Sequence, residues 1–138
     1  MALRGPLVGA AAIVVRDGRV LLGERRGSHG AGDWAFPGGK VDPGEDPADT
    51  VARELAEEAG LVATAVEPLA WTTDLFPDEG LHYVTLHHLV TAAPGEPEVR
   101  EPDKCLGWGW YAWDALPRPL FVPVANLLAR VPRPGGVR

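Results

Sequence analysis

The stretch from Gly39 to Leu61 constrains this chain most, because it reads as a glycine turn feeding a capped helix. Its sequence is Gly39-KVDPG-Glu45-DPADTVA-Arg53-Glu54-Leu55-Ala56-Glu57-Glu58-Ala59-Gly60-Leu61. Asp46 suits an N-cap, Pro47 the first helical position and Gly60 the residue just past the end. A helix is therefore expected over about 47–59. At about 100° per residue, Ala48, Val51, Ala52, Leu55 and Ala59 form one apolar stripe, which must face a core.

Glu54, Glu57 and Glu58 stand at i, i+3 and i+4 and crowd a second face of that helix. Like charges at this spacing repel, and a hard cation removes the conflict. Mg²⁺ takes oxygen ligands and is usually held by a few carboxylates plus substrate phosphates. Mn²⁺ is the expected substitute. Glu45, ahead of the cap, can fold back toward the same place, and Arg53 can orient a carboxylate by a two-pronged hydrogen bond. The plainer reading is a solvated acidic face with an arginine pairing at i,i+4. The complete set, with Gly38-Gly39 before it and Gly60 behind, favours the metal site.

Composition sets the frame for that site. A chain of 138 residues matches one domain with a sizeable core. Thirteen basic against 19 acidic residues give a net charge of −6, which argues against a nucleic-acid-coating surface. It leaves a nucleotide substrate open, since phosphates can arrive neutralised by Mg²⁺. Cys105, the single cysteine, has no partner for an internal disulfide and fits a reduced, cytoplasmic setting. The apolar run from Gly5 to Val15 could pass for a signal-peptide core. Ile13-Val14-Val15, Asp17-Gly18 and Val20-Leu21-Leu22 favour a buried strand and hairpin instead. No segment has the ~18 apolar residues of a membrane span.

Strands are expected at about 7–15, 20–25, 34–36, 63–76 (broken at Pro68), 81–91 and 106–113, and a second helix at about 123–131. Trp108 and Trp110 share one strand face and Trp113 takes the other, a sheet-packing arrangement. Residues 1–132 read as a single domain and 133–138 as a frayed tail. Strands interleaved with two helices give an α/β layered fold.

The spacing from Gly39 to Leu61 resembles the signature box of the Nudix (MutT-type) hydrolases at every position. The resemblance extends to Val20-Leu21-Leu22-x-x-Arg25-Arg26, Trp34-x-Phe36-Pro37-Gly38-Gly39-Lys40 and Gly95-Glu96-Pro97 through Glu101. His82-Tyr83-Val84-Thr85, Glu101-Pro102-Asp103-Lys104 and Trp108-x-Trp110 look most like the nucleoside-triphosphate diphosphatase branch. That branch includes the eukaryotic enzyme acting on thiopurine nucleotides. The implied fold is an α/β/α sandwich around a mixed sheet. The implied metal ligands are Glu57 and Glu58, with Glu54 and the carbonyl of Gly38. Glu101 matches a further ligand of MutT-type enzymes, or is a solvated loop charge. Arg26 (or Arg25) would contact a phosphate, and Lys40, beside Gly39, would do so or face water.

The implied reaction is attack of an activated water on one phosphorus of a diphosphate, with Glu54 as the base and Arg53, Glu57 and Glu58 around it. A nucleoside triphosphate would give the monophosphate and pyrophosphate. Phe36, Tyr83, Thr85, Phe121 and Val124 are the expected lining of a base pocket. Where MutT has an asparagine that reads the guanine edge, this chain has Phe121, so broad nucleotide tolerance is expected. Rival functions are cleavage of another diphosphate (ADP-ribose, a nucleotide sugar, a capped RNA end, an isoprenyl diphosphate) and a non-catalytic binding module. The expected partner is a small nucleotide, with no stable nucleic-acid complex and no membrane. A homodimer is compatible with an exposed sheet edge.

Overall fold

The computed structural model describes residues 4–27 and 29–138. Alternation along the first strand, β1 (Arg4–Arg16), explains the architecture. Successive side chains of a strand point to opposite faces. Ala10, Ala12 and Val14 face one apolar cluster, and Ala11 and Ile13 face another. A strand apolar on both faces must lie in a sheet covered on both sides.

The first cover is helix α1 (Pro47–Ala59), at the bounds expected from its sequence. The Asp46 side chain accepts from the Ala48 N–H at 2.9 Å. Gly60 ends the helix in the left-handed region, with φ 68°, where only glycine is unstrained. Val51, Leu55 and Ala59 are buried against Ala10, Ala12, Val14, Leu21 and Val90. Thr50 is also buried, its hydroxyl donating to Glu45 Oε1 at 2.7 Å. The second cover is α2 (Val122–Arg130), one residue earlier than expected, because Phe121 takes the N-cap position. It buries Val124 and Leu127 against Ile13, Val20, Leu22 and Phe36.

Between the helices lies a mixed, open sheet. β1 runs parallel to β6 (Leu81–Ala92), and β6 pairs antiparallel with the edge strand β5 (Ala63–Phe76). The far part of β1 pairs with β2 (Arg19–Arg25), which also pairs with β3 (Trp34–Ala35) and β7 (Cys105–Tyr111). The near part of β1 pairs with β4 (Gly38–Lys40), opposing Ala10 to Gly39 and Ala11 to Gly38. This pairing fixes the glycine turn to the central strand, directly under α1.

Three expectations are corrected. Pro68 does not break its strand; β5 continues past it with a register shift between Pro68 and Ala70, as an edge strand can. Trp113 does not lie on β7 but begins a short 3₁₀ turn, Trp113–Ala115. Residues 133–138 do not fray. Val137 is buried in the α2-side cluster, and the Arg138 N–H donates to the Gly18 carbonyl at 2.9 Å. Among the described residues no helix is long and apolar enough to cross a membrane.

Candidate active site

Arg53 organises the acidic face of α1. Its Nε and Nη2 donate to the two oxygens of Glu45 at 2.8 and 2.9 Å. Nη1 donates to Glu54 at 2.8 Å and to Glu57 at 3.2 Å. The Arg53 guanidinium, with the Thr50 hydroxyl, holds the Glu45 carboxyl down at about 2. Glu45 in turn raises the pKa of Arg53. The i,i+4 pair that could have been plain surface decoration is thus the centre of a network reaching across eight residues of chain.

Glu54 and Glu58 lie deeper. Gly39 lets Glu54 approach: a Cβ built there would stand 2.6 Å from the Glu54 carboxyl carbon. Gly38 is equally close to β1, where a Cβ would meet the Ala10 carbonyl oxygen. Glu58 accepts a hydrogen bond from the Gly38 N–H at 3.3 Å. Burial pushes the Glu58 carboxyl well above the usual carboxylate range, the adjoining Glu54 carboxylate pushes it further, and Glu101 adds to the effect. Carboxyl groups forced together this way must share a proton or a cation.

This pair opens into a cavity of about 470 Å³, within the range of small-molecule sites. Glu54, Glu58, Glu101 and Asp42 line its acidic end, with Gly38, Gly39 and Lys40. Glu101 is half-buried, with Lys104 Nζ at 3.8 Å. Glu57 does not line the cavity; it is half exposed against Arg53. Both Arg25 and Arg26 line the wall, in different states. The Arg26 side chain reaches outward to the Pro102 carbonyl at 3.3 Å. Arg25 lies inside, its guanidinium 4.0 Å from the Phe121 ring centroid and bonded to the His29 carbonyl. Burial works against the Arg25 charge and Glu58 supports it.

The opposite end is aromatic. Phe76 lies 5.5 Å from Phe121 and 6.1 Å from Tyr83, and the His29 ring meets Phe76 edge-on at 4.7 Å. Phe36, Thr85 and Val124 also line the cavity, Val124 being only 1% exposed. Sequence reasoning did not single out His29, Phe76 or His87, all of which line the cavity. A signal for part of this exists in retrospect. Thr72-x-Asp74 and Thr85-x-His87 put polar residues at period two on two neighbouring strands, the mark of one shared face.

The donor set is chemically suited to a hard cation. It is dominated by carboxylate and carbonyl oxygens; the Cys105 thiol also lines the cavity, and burial with the Glu58 charge raises its pKa. Among the described residues no three acidic side chains converge closely enough to ligate one ion as they stand. Arg53 draws Glu57 away from the pair.

Comparison with known proteins places this geometry. A structure of a MutT NUDIX hydrolase from Burkholderia pseudomallei is 40% identical, with 91% of this chain and 96% of that one covered at a TM-score of 0.83. An 8-oxo-dGTP diphosphatase of Haemophilus influenzae is 33% identical over 129 residues, 91% of both chains. A CTP pyrophosphohydrolase of Escherichia coli is 49% identical over 61 residues, 44% of this chain and 45% of that protein. The chain thus spans less than half the length of some curated relatives that it matches. The family model described as NUDIX domain matches residues 5–131. With that match across nearly the whole chain and a carboxylate helix clamped over its glycine turn, the protein belongs to the Nudix family of MutT type.

Proposed function

We propose that this protein hydrolyses a nucleoside triphosphate to the monophosphate and pyrophosphate in a Mg²⁺-dependent reaction. One observation carries the reading: a single cavity joins a crowded carboxylate end to an aromatic end. Phosphates with their counter-cation suit the first, and a planar base suits the second.

Glu54, Glu58 and the Gly38 carbonyl would hold the cation, with Glu57 once it turns from Arg53, and Glu101 from the loop. When bound, Mg²⁺ offsets negative charge on the reacting phosphates and makes water more acidic. The chain's own residues do the rest. Arg53 fixes Glu54 at 2.8 Å, so its carboxylate is oriented to take a proton from the attacking water. The water oxygen bonds to a phosphorus of the α–β anhydride, and the bridging P–O bond breaks. Arg25 and Lys40 neutralise phosphate charge on the opposite wall. Phe121, Phe76 and Tyr83 hold the base and exclude water beside it.

The supporting names belong to the relatives: 8-oxo-dGTP diphosphatase and CTP pyrophosphohydrolase both describe cleavage of nucleotide phosphates. A panel of canonical, methylated and oxidised triphosphates, nucleotide sugars and ADP-ribose, assayed with and without Mg²⁺ for released pyrophosphate and phosphate, tests the reading. Release of pyrophosphate from triphosphates is expected. ADP-ribose turned over in preference to every triphosphate would replace the proposed substrate, and tight binding without any product would favour a non-catalytic module.

A further inference from the structure

Glu101 reaches the acidic end from a loop, and a loop carboxylate is only as well placed as the backbone that carries it. Two anchors hold this backbone. On one side, the Glu98 and Arg100 N–H groups donate to the Ala59 and Glu58 carbonyls at 2.9 and 3.3 Å. These carbonyls belong to the last turn of α1 and have no partner within the helix. The chain next to Glu101 is therefore pinned to Glu58, whose side chain sits in the crowded pair. On the other side the segment closes into a turn. The Glu101 carbonyl accepts from the Lys104 and Cys105 N–H groups at 2.9 and 3.0 Å.

Arg26, the residue after β2, secures that turn. Its N–H donates to the Lys104 carbonyl at 2.9 Å, and its Nη1 donates to the Pro102 carbonyl at 3.3 Å. One residue thus ties down the turn at two points. Gly27 permits the approach. Its φ is 90°, and a Cβ there would stand 2.9 Å from the Asp103 carbonyl oxygen, so a side chain would push the turn away. The two neighbouring arginines are thereby committed differently. Arg25 lies over the Phe121 ring inside the cavity, and the Arg26 guanidinium is spent on the backbone that presents Glu101.

Resting on the reading that the carboxylates of this site hold a cation, we infer that Arg26 is a positioning residue: it strengthens cation binding by fixing the 101–104 turn and with it Glu101, rather than by touching a phosphate. The sign of its effect separates this role from the alternatives. Arg26 borders the same cavity as the carboxylates, and a positive charge there repels a cation. On charge alone, removing it would tighten cation binding. Removing a phosphate contact would raise the KM for the nucleotide and would not weaken cation binding in the nucleotide's absence. Loss of placement weakens cation binding with no nucleotide present.

Titration of the full-length chain with Mn²⁺ in the absence of nucleotide, following the free ion by electron paramagnetic resonance, tests the inference. Arg26 is exposed, so Arg26→Ala leaves the core intact. It should bind Mn²⁺ about fivefold more weakly than the wild type, the scale of one hydrogen bond. Glu101→Gln should also weaken binding, and adding Arg26→Ala to it should cost nothing further, because the turn then has no carboxylate to deliver. Arg26→Lys, which can still donate to the Pro102 carbonyl, should recover most of the loss. In turnover, the Mg²⁺ activation constant should rise by the factor seen with Mn²⁺, while the KM for a triphosphate at saturating Mg²⁺ should not. Equal or tighter Mn²⁺ binding in Arg26→Ala, or additive losses in the double variant, overturns the assignment. A raised nucleotide KM with unaltered Mn²⁺ affinity would also overturn it and make Arg26 a phosphate contact. A wild type that binds no Mn²⁺ would remove the cation reading and this inference together. Absence of triphosphate hydrolysis, with the Mn²⁺ results as expected, would remove the proposed reaction alone.

Discussion

The two ends of the cavity handle polarity in opposite ways. At the acidic end, charge is concentrated and then compensated: one guanidinium hydrogen-bonds Glu45, Glu54 and Glu57 and pairs with Asp42 at 3.4 Å, and Glu58 is left crowded against Glu54. At the aromatic end, the exposed face is apolar and the polar groups are sunk beneath it, each hydroxyl committed to Asp74. The first arrangement leaves an unmet need for positive charge. The second leaves ring nitrogens of His29 and His87 buried without a hydrogen-bond partner among the described residues. A cation-laden phosphate chain complements the first end, and a planar apolar ring face complements the second.

The largest test falls on the acidic end. Glu58→Gln should lower turnover by at least about a hundredfold, the usual scale for losing one electrostatic stabiliser. Its melting temperature should hold or rise, because the amide no longer crowds Glu54. Near-normal turnover would move the chemistry elsewhere. Glu57→Gln is the companion test, because Glu57 must leave Arg53 to take part; a loss of similar size is expected.

The next test concerns the aromatic end and acid. Below pH 6.5 the unfolded chain takes a proton on His87 that the folded chain refuses until about pH 4. Wild-type stability should therefore fall as pH drops through that window, by about 3 kcal/mol relative to His87→Gln, at roughly 1.4 kcal/mol per pH decade. His29, whose pKa burial also lowers, acts with the same sign and remains in both proteins. Denaturant titrations at pH 7 and pH 4 measure the difference. Equal pH dependence in the two proteins would mean that the buried ring is already charged.

A smaller effect would sharpen the role of the glycine turn. Gly39→Ala puts a methyl group 2.6 Å from the Glu54 carboxyl carbon. Glu54 must shift, and turnover should fall about tenfold, in keeping with a misplaced catalytic group. Unaltered kinetics would show that Glu54 is free to stand elsewhere. The smallest effect lies outside both ends. Val137→Ala should cost about 1 kcal/mol by removing two buried methyl groups, with no change in turnover per folded molecule. No loss of stability would mean that the tail contributes nothing.

The helix of the acidic end was legible because its determinants are local. Asp46, Pro47 and Gly60 are neighbours of the residues they cap, and helical spacing alone gathers Glu54, Glu57 and Glu58. The division of labour among those glutamates was not legible. Whether a carboxylate faces Arg53 or the cavity depends on how closely Gly39 brings the turn to α1. The choice between Arg25 and Arg26 turned on strand parity and on where Phe121 arrives from the far end of the chain. Pro68 and the 133–138 segment misled for one reason: local breaker signals do not report that an edge strand tolerates proline or that Val137 finds a core contact.

By itself, the sequence determined that this protein would place a capped, carboxylate-bearing helix after a glycine turn, because caps, spacing and charge act within a few residues. Only the tertiary structure decided which oxygens and rings share one cavity, and that Asp74 would gather Thr72, Thr85 and Asn126. Those facts depend on the register between β5 and β6 and on the docking of α2, which contacts distant in the chain establish.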